Sequence, residues 1–457
     1  MDFFKETITY EDNLLEDDNS QQNDNNFQVT QKYNALIDRL QNYQFNHRPS
    51  PYQLLIDLKE LESLTYKPEL FSSLYNQIFP PTTKKKIYNC FISIFNRDNN
   101  TAELTNHLLK VFIDLSFEDI EFSKTFIEYQ DKSNIKVSLN KLEKILTTIN
   151  KNQPYFKNFY RFIGNLAADF ASSFSNSFFS SLCRQISNTS TENQICCSFA
   201  LINFFRNFNS IQIHDVQSIF SIYKSDKPKS KSVLYNLAWC AYYLFLKTSD
   251  FGDFLIDTPL LGLMAQNISN NDPCYSSIIL SLFSLLLVRN KPEDISILFE
   301  NINIDEIIPF IGIPGDMRLT CLNFLSNYLI NGSEFIQKFI EVNGNLMIFQ
   351  IFDECIFQEK IYLAMILSIC ILGSSDEQLS YFSIPELIYL IPEMLEIEDN
   401  DAQTITLMAS IQLISKNINI LEFCDLDEDI LKNLMENNEL HYLANQLHEL
   451  LFTSRPN

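Results

Sequence analysis

From about residue 29 onward, apolar residues recur at three- and four-residue spacing, in blocks broken by Asn, Ser, Asp and Pro instead of Gly. No stretch sustains an alternation of period two. A three-to-four spacing lines up one side of an α-helix, so the pattern predicts an all-α chain of helices joined by short loops. The longer blocks fall at 155–170, 191–208, 230–247, 272–290, 316–331, 358–373 and 401–416, and each is apolar nearly all round. A helix needs that composition when neighbours pack on both of its sides. Shorter amphipathic blocks lie between them at 175–187, 212–224, 253–268, 292–302 and 333–342.

One long buried helix with one or two shorter ones per unit of about 40–47 residues is the pattern of armadillo and HEAT repeats. The period is open to arithmetic. Asn165, Asn203, Tyr243 and Asn327 occupy similar places in four long blocks and stand 38, 40 and 84 residues apart, the last being two steps of 42. The fold expected is therefore an all-α, right-handed superhelical solenoid of roughly seven to ten repeats. Residues 29–150 are less regular and are punctuated by Pro49, Pro51, Pro80 and Pro81, as irregular N-terminal repeats would be. Residues 151–457 are expected to form armadillo-like repeats. A capping helix at 438–452, with Leu440, Leu443, Leu447, Leu450 and Leu451 along one side, would close them. The first 28 residues hold eight acids and one lysine, too little apolar surface to offset the entropy of ordering, and read as a disordered acidic tail.

Composition narrows the function. At 457 residues the chain exceeds what one simple core supports. Only 8 residues are Gly, which removes most phosphate-cradling loops, and no GxxxxGK[ST], GxGxxG, HExxH or GxSxG pattern occurs. No enzyme constellation, cofactor or metal is expected. The ten cysteines show no CxxC spacing and sit in apolar stretches, as small buried hydrophobes of a reducing compartment do. No secretory signal or membrane-length apolar run is present, so a soluble cytoplasmic or nuclear protein is expected. His441 and His448 share a helix face without a third ligand near in sequence, and the acids at 425–429 read as a helix start. A formal charge of −23 repels nucleic acid and anionic lipid and favours a basic partner.

Candidate binding residues lie in the long blocks. Asn165 is polar in an otherwise apolar stretch that ends at Asp169, Phe199 precedes Asn203 by four, and Trp239 precedes Tyr243 by four. Such pairs share a helix face and would set a flat ring beside a polar tip. An extended basic peptide could lay lysine stems over the rings while the tips hold its backbone. The alternative for each pair is core packing.

These residues resemble the armadillo repeats of importin-alpha, the adaptor that recognises nuclear localisation signals. The stretch 163–169, Ile-Gly-Asn-Leu-Ala-Ala-Asp, is similar to the family's Trp-Ala-Leu-Gly-Asn-(aliphatic)-Ala-Gly-Asp helix. Ser-Phe-Ala-Leu-Ile-Asn at 198–203 and Ala-Trp-Cys-Ala-Tyr-Tyr at 238–243 resemble two further repeats. The resemblance implies that Asn165, Asn203, Tyr243 and Asn327 meet a peptide backbone, that Phe199 and Trp239 stack on lysine stems, and that Asp169 accepts a lysine ammonium in an acidic concave groove. The implied function is nuclear-import adaptor, the alternative being a general armadillo interaction scaffold. The chain departs from the pattern where Arg161 and Asn323 replace the family's rings, and its acidic N-terminus argues against binding importin-beta.

Overall fold

The computed structural model describes residues 35–36, 38–39, 51–65, 71, 75–76, 78–98, 100–130, 136–147, 155–224, 230–268, 272–289, 291–416 and 426–453. The expected acidic tail at 1–28 and the neighbourhood of the expected boundary at 150/151 lie outside these residues. The chain divides into two compact units, Met1–Leu244 and Phe245–Asn457.

The first unit holds α1 (Pro51–Thr65), α2 (Lys84–Phe95), α3 (Ala102–Glu118), α4 (Ile120–Glu128), α5 (Val137–Thr147), α6 (Phe156–Phe170), α7 (Asn176–Gln185), α8 (Thr191–Asn207) and α9 (Ile213–Phe220). It ends within α10 (Lys231–Lys247), whose last turn passes the boundary. Two layers result. The long helices α1, α3, α6 and α8 pack in succession, and α2, α4, α5, α7 and α9 stack as an outer row behind them. Phenylalanine rings fill the space between the layers: Phe112 of α3 meets Phe122 of α4 at 5.1 Å, and Phe126 of α4 meets Phe162 of α6 edge-on at 4.9 Å. All four rings are fully buried, each contributing about 1.5–3 kcal/mol of apolar burial.

The second unit repeats the scheme. Its helices are α11 (Ser249–Asp257), α12 (Leu260–Ala265), α13 (Pro273–Val288), α14 (Pro292–Asn301), α15 (Asp316–Leu329), α16 (Ser333–Glu341), α17 (Gly344–Phe352), α18 (Phe357–Gly373), α19 (Asp376–Leu379), α20 (Pro385–Ile388), α21 (Leu390–Leu395), α22 (Asn400–Lys416), α23 (Glu428–Glu436) and α24 (His441–His448). Helices α13, α15, α18, α22 and α24 pack in succession as the long layer and its end.

The seven long blocks read from the sequence match α6, α8, α10, α13, α15, α18 and α22 to within two residues at each end. The expected block 253–268 is instead two helices, because Pro259 forces Thr258 into extended backbone (φ −123°, ψ 156°) and restarts the chain as α12. Thr101, Ser175, Ser190 and Asp272 each accept a backbone N–H of the first turn that follows, so α3, α7, α8 and α13 start on side-chain oxygens. Asp427 does the same for α23, as the reading of 425–429 anticipated.

Neighbouring long helices are pinned by side chains at repeating offsets. In the first unit the Asn165 amide donates to the Ile113 carbonyl and Ser116 Oγ, each at 3.2 Å. Asn203 donates to the Gly164 carbonyl at 3.0 Å, and Asn236 to Ser198 Oγ at 2.9 Å. In the second unit Ser277 donates to Thr320 Oγ1 at 3.1 Å, Asn327 to Ser284 Oγ at 2.7 Å, and Gln412 to the Ile371 carbonyl at 3.0 Å. Each such bond contributes about 0.5–1.5 kcal/mol net and fixes the register of one long helix on the next. Gly164 lets α6 and α8 approach closely, since a Cβ there would lie 2.9 Å from the Phe199 ring and 3.1 Å from the Ala200 backbone.

Candidate functional site

A long helix flanked by two others, with an outer helix behind it, keeps one stripe of side chains open, at spacings of three, four, seven and eleven residues. The open stripes of successive long helices are the surface on which a solenoid of this kind can meet a partner.

In the first unit the stripe of α10 is the richest in rings. Tyr235, Trp239, Tyr242 and Tyr243 are half-buried. Trp239 stacks on Tyr243 at 5.4 Å with 24° between planes, and Tyr242 meets Trp239 edge-on at 5.6 Å. Burial pushes the Tyr243 phenol up, and the Arg206 guanidinium of α8 works the other way, placing a cation close to these rings. The stripe of α6 carries Lys157 and Arg161, both half-buried, and the exposed Asp169 follows in its last turn. Lys157 pairs with Glu192 of α8 at 3.0 Å.

Two parts of the expected site differ from this picture. Asn165 and Asn203 are fully buried, and their amides hold neighbouring helices, so neither reaches the open stripe. Phe199 is only 7 % exposed because its ring covers Gly164, where α6 and α8 run too close to leave it open as a lysine platform. Asn327 is half-buried, lies in the second unit, and donates to Ser284 Oγ and to Asn323. Trp239 and Tyr243 are the expected pair that the fold brings together on an open face, and Asp169 is solvent-exposed.

Both signs of charge occur along the long helices. Lys157, Arg161 and Arg206 stand on the open side of the first unit, and the stripes of the second unit carry acids only in first turns, at Asp316 of α15 and Asp401 of α22. The sequence reading missed Tyr235, Tyr242 and Arg206, although the 235–239–242/243 spacing was a usable signal.

Several other features are structural. His448 Nε2 meets Glu428 at 3.1 Å and His441 Nδ1 meets the Met435 carbonyl at 2.6 Å. Among the described residues no group of three or more His, Cys, Asp or Glu could hold a metal ion, and no helix is long and apolar enough to cross a membrane. Cys183, Cys197, Cys240, Cys321 and Cys370 are buried, and burial pushes their thiols up. Two cysteines correct the expectation: Cys274 is exposed in the first turn of α13, and Cys90 of α2 is half-buried. Cys424 lies outside the described residues.

No protein-family model matches the sequence. No curated protein matches it. Solved structures do match in fold: the crystal structure of an engineered protein superposes with a TM-score of 0.70 at 11% identity, over 91% of this chain and 98% of that one. At that identity the likeness shows the fold alone. The chain is an all-α helical solenoid.

Proposed function

We propose that this chain is a protein-binding scaffold that receives a segment of another protein on the open stripes of its long helices. The observation that supports the reading is the ring stripe of α10. Half-buried Tyr and Trp side chains with polar tips are what binding hot spots are made of, and the core of the unit is already filled by buried phenylalanines. The importin-alpha-like reading is the finer form of this proposal. It draws on the Trp239–Tyr243 stack, over which one lysine stem would lie, and on the exposed Asp169 of α6, which would accept the ammonium of another. Arg161 and Arg206 nearby oppose a strongly basic ligand, so the general scaffold is the better supported of the two.

The test is to pan a display library of random peptides against the full chain and measure the selected peptides by fluorescence anisotropy. Trp239→Ala is expected to weaken binding by tenfold or more, about 1.4 kcal/mol or above. Selected sequences rich in Lys, bound in a salt-sensitive way, would favour the import-adaptor form. Enrichment that is indifferent to Trp239→Ala, or no enrichment at all, would overturn the proposal.

A further inference from the structure

The long-helix face of the second unit is chemically unlike that of the first. The stripe of α13 runs through Ser277, Ser281, Leu285 and Val288, and that of α15 through Leu319, Asn323, Asn327 and Ile330. On α18 the open positions are Ile361, Tyr362, Met365 and Leu372, and on α22 they include Ile405 and Met408. All are half-buried or exposed; Val288 is 64 % exposed, Ile330 67 % and Met408 44 %. Across four consecutive long helices the charges on the stripes stand at helix ends: Asp316 and Asp401 in first turns and Lys416 in the last turn of α22, where it pairs with Asp376 of α19 at 2.5 Å. The cross-links Ser277–Thr320 and Gln412–Ile371 tie stripe to stripe along this layer.

We infer that this face docks an amphipathic α-helix of a partner protein, its aliphatic side against Leu285, Ile361, Met365 and Met408 and a basic edge toward Asp316 and Asp401. The inference goes beyond the ring stripe of α10 and rests on different residues.

Charge decides the sides of the occupant. A charged contact face would lose its hydration against Met and Leu with no counter-ion to meet, whereas an aliphatic one gains burial. The two aspartates stand at the N-terminal border of the stripes, where a lysine or arginine on the helix edge has a partner. Conformation is decided by hydrogen bonding. An extended peptide brings unpaired backbone groups, and two of the amides on this face already donate elsewhere, Asn327 to Ser284 Oγ and Asn323 and Gln412 to the Ile371 carbonyl. A helix satisfies its own backbone and asks only for apolar contact. Flexible thioethers at Met365 and Met408 suit such a groove, because they adapt to the knobs of a docking helix.

The test uses the full chain and three labelled synthetic peptides: an amphipathic Leu/Lys helix, the same pattern with Glu for Lys, and the Leu/Lys sequence interrupted by Pro. The Leu/Lys helix is expected to bind, and Met365→Glu with Met408→Glu to weaken it at least tenfold. The Glu and Pro versions are expected to bind at least tenfold less tightly than the parent. Because Met365 is half-buried, circular dichroism of the double variant is compared with wild type, and the more exposed Met408→Glu alone is measured as well. Binding that both Met variants leave unchanged would mean that the acidic chain captures the cationic peptide non-specifically, and overturns the inference. Equal binding of the Pro version, or no binding of the parent peptide, does so too.

Discussion

Replacing Arg318 with Met is expected to destabilise the second unit by about 3–5 kcal/mol, read by chemical denaturation. The Arg318 side chain is 2% exposed. Its Nε donates to the Ile311 carbonyl at 2.7 Å, and its Nη1 stands 3.5 Å from the Glu359 carboxylate, itself 3% exposed. The pair links α15 to α18, and the same carboxylate accepts the Ile356 N–H at the start of α18. Removing the guanidinium leaves a buried carboxylate without its cation and a carbonyl without its donor. The double variant Arg318→Met with Glu359→Leu is expected to recover much of the loss, because a buried ion pair costs nearly as much in desolvation as it returns in attraction. If the single variant unfolds at the wild-type denaturant concentration, the pair is not a structural link between the two helices.

The second large effect concerns Asn165. Its amide is fully buried between α6 and α3, facing the Ile113 carbonyl and Ser116 Oγ. Asn165→Leu deletes both bonds and is expected to cost about 1–3 kcal/mol. Asn165→Asp goes further, because it sets a carboxylate against the oxygens that received the amide, and about 3 kcal/mol or more is expected at neutral pH. The sign of its pH dependence follows from burial. The folded-state carboxyl would titrate above its unfolded value of about 3.9. The penalty is therefore small below that value and grows as pH rises toward the folded-state pKa. Peptide affinity per folded molecule is expected to stay unchanged in both variants. An Asn165→Leu variant with wild-type stability and lost peptide binding would restore the amide to the binding surface.

The contrast between Asn165 and Trp239 shows how far the sequence can be read. Helix positions were legible because apolar spacing follows from the packing of each long helix, and the ends were marked by Ser, Thr, Asp and Pro caps. The period was legible for the same reason, since each long helix must present equivalent positions to the one before. What spacing cannot reveal is which of two polar-bearing faces is the open one. Asn165 and Asn203 recur at the repeat length, as ligand-facing residues would, but so does any residue that pins one helix to the next. Gly164 decided the outcome there, drawing α6 and α8 close enough to bury Phe199 and the Asn203 amide. The neutral stripe of the second unit was written in the spacing 277–281–285–288. Net charge obscured it, because −23 describes the whole chain and says nothing of where the acids sit.

The central claim is that a partner segment binds on the ring stripe of α10, and the chain carries its own reporter, since Trp239 is its single tryptophan. The most direct measurement is Trp239 emission in the full chain while a library-selected peptide free of Trp and Tyr is titrated in. Saturable burial of the half-buried indole, seen as a blue shift with reduced quenching by iodide at the affinity found by anisotropy, is the result this account predicts. Binding by anisotropy with emission and iodide quenching unchanged would place the partner elsewhere and contradict it.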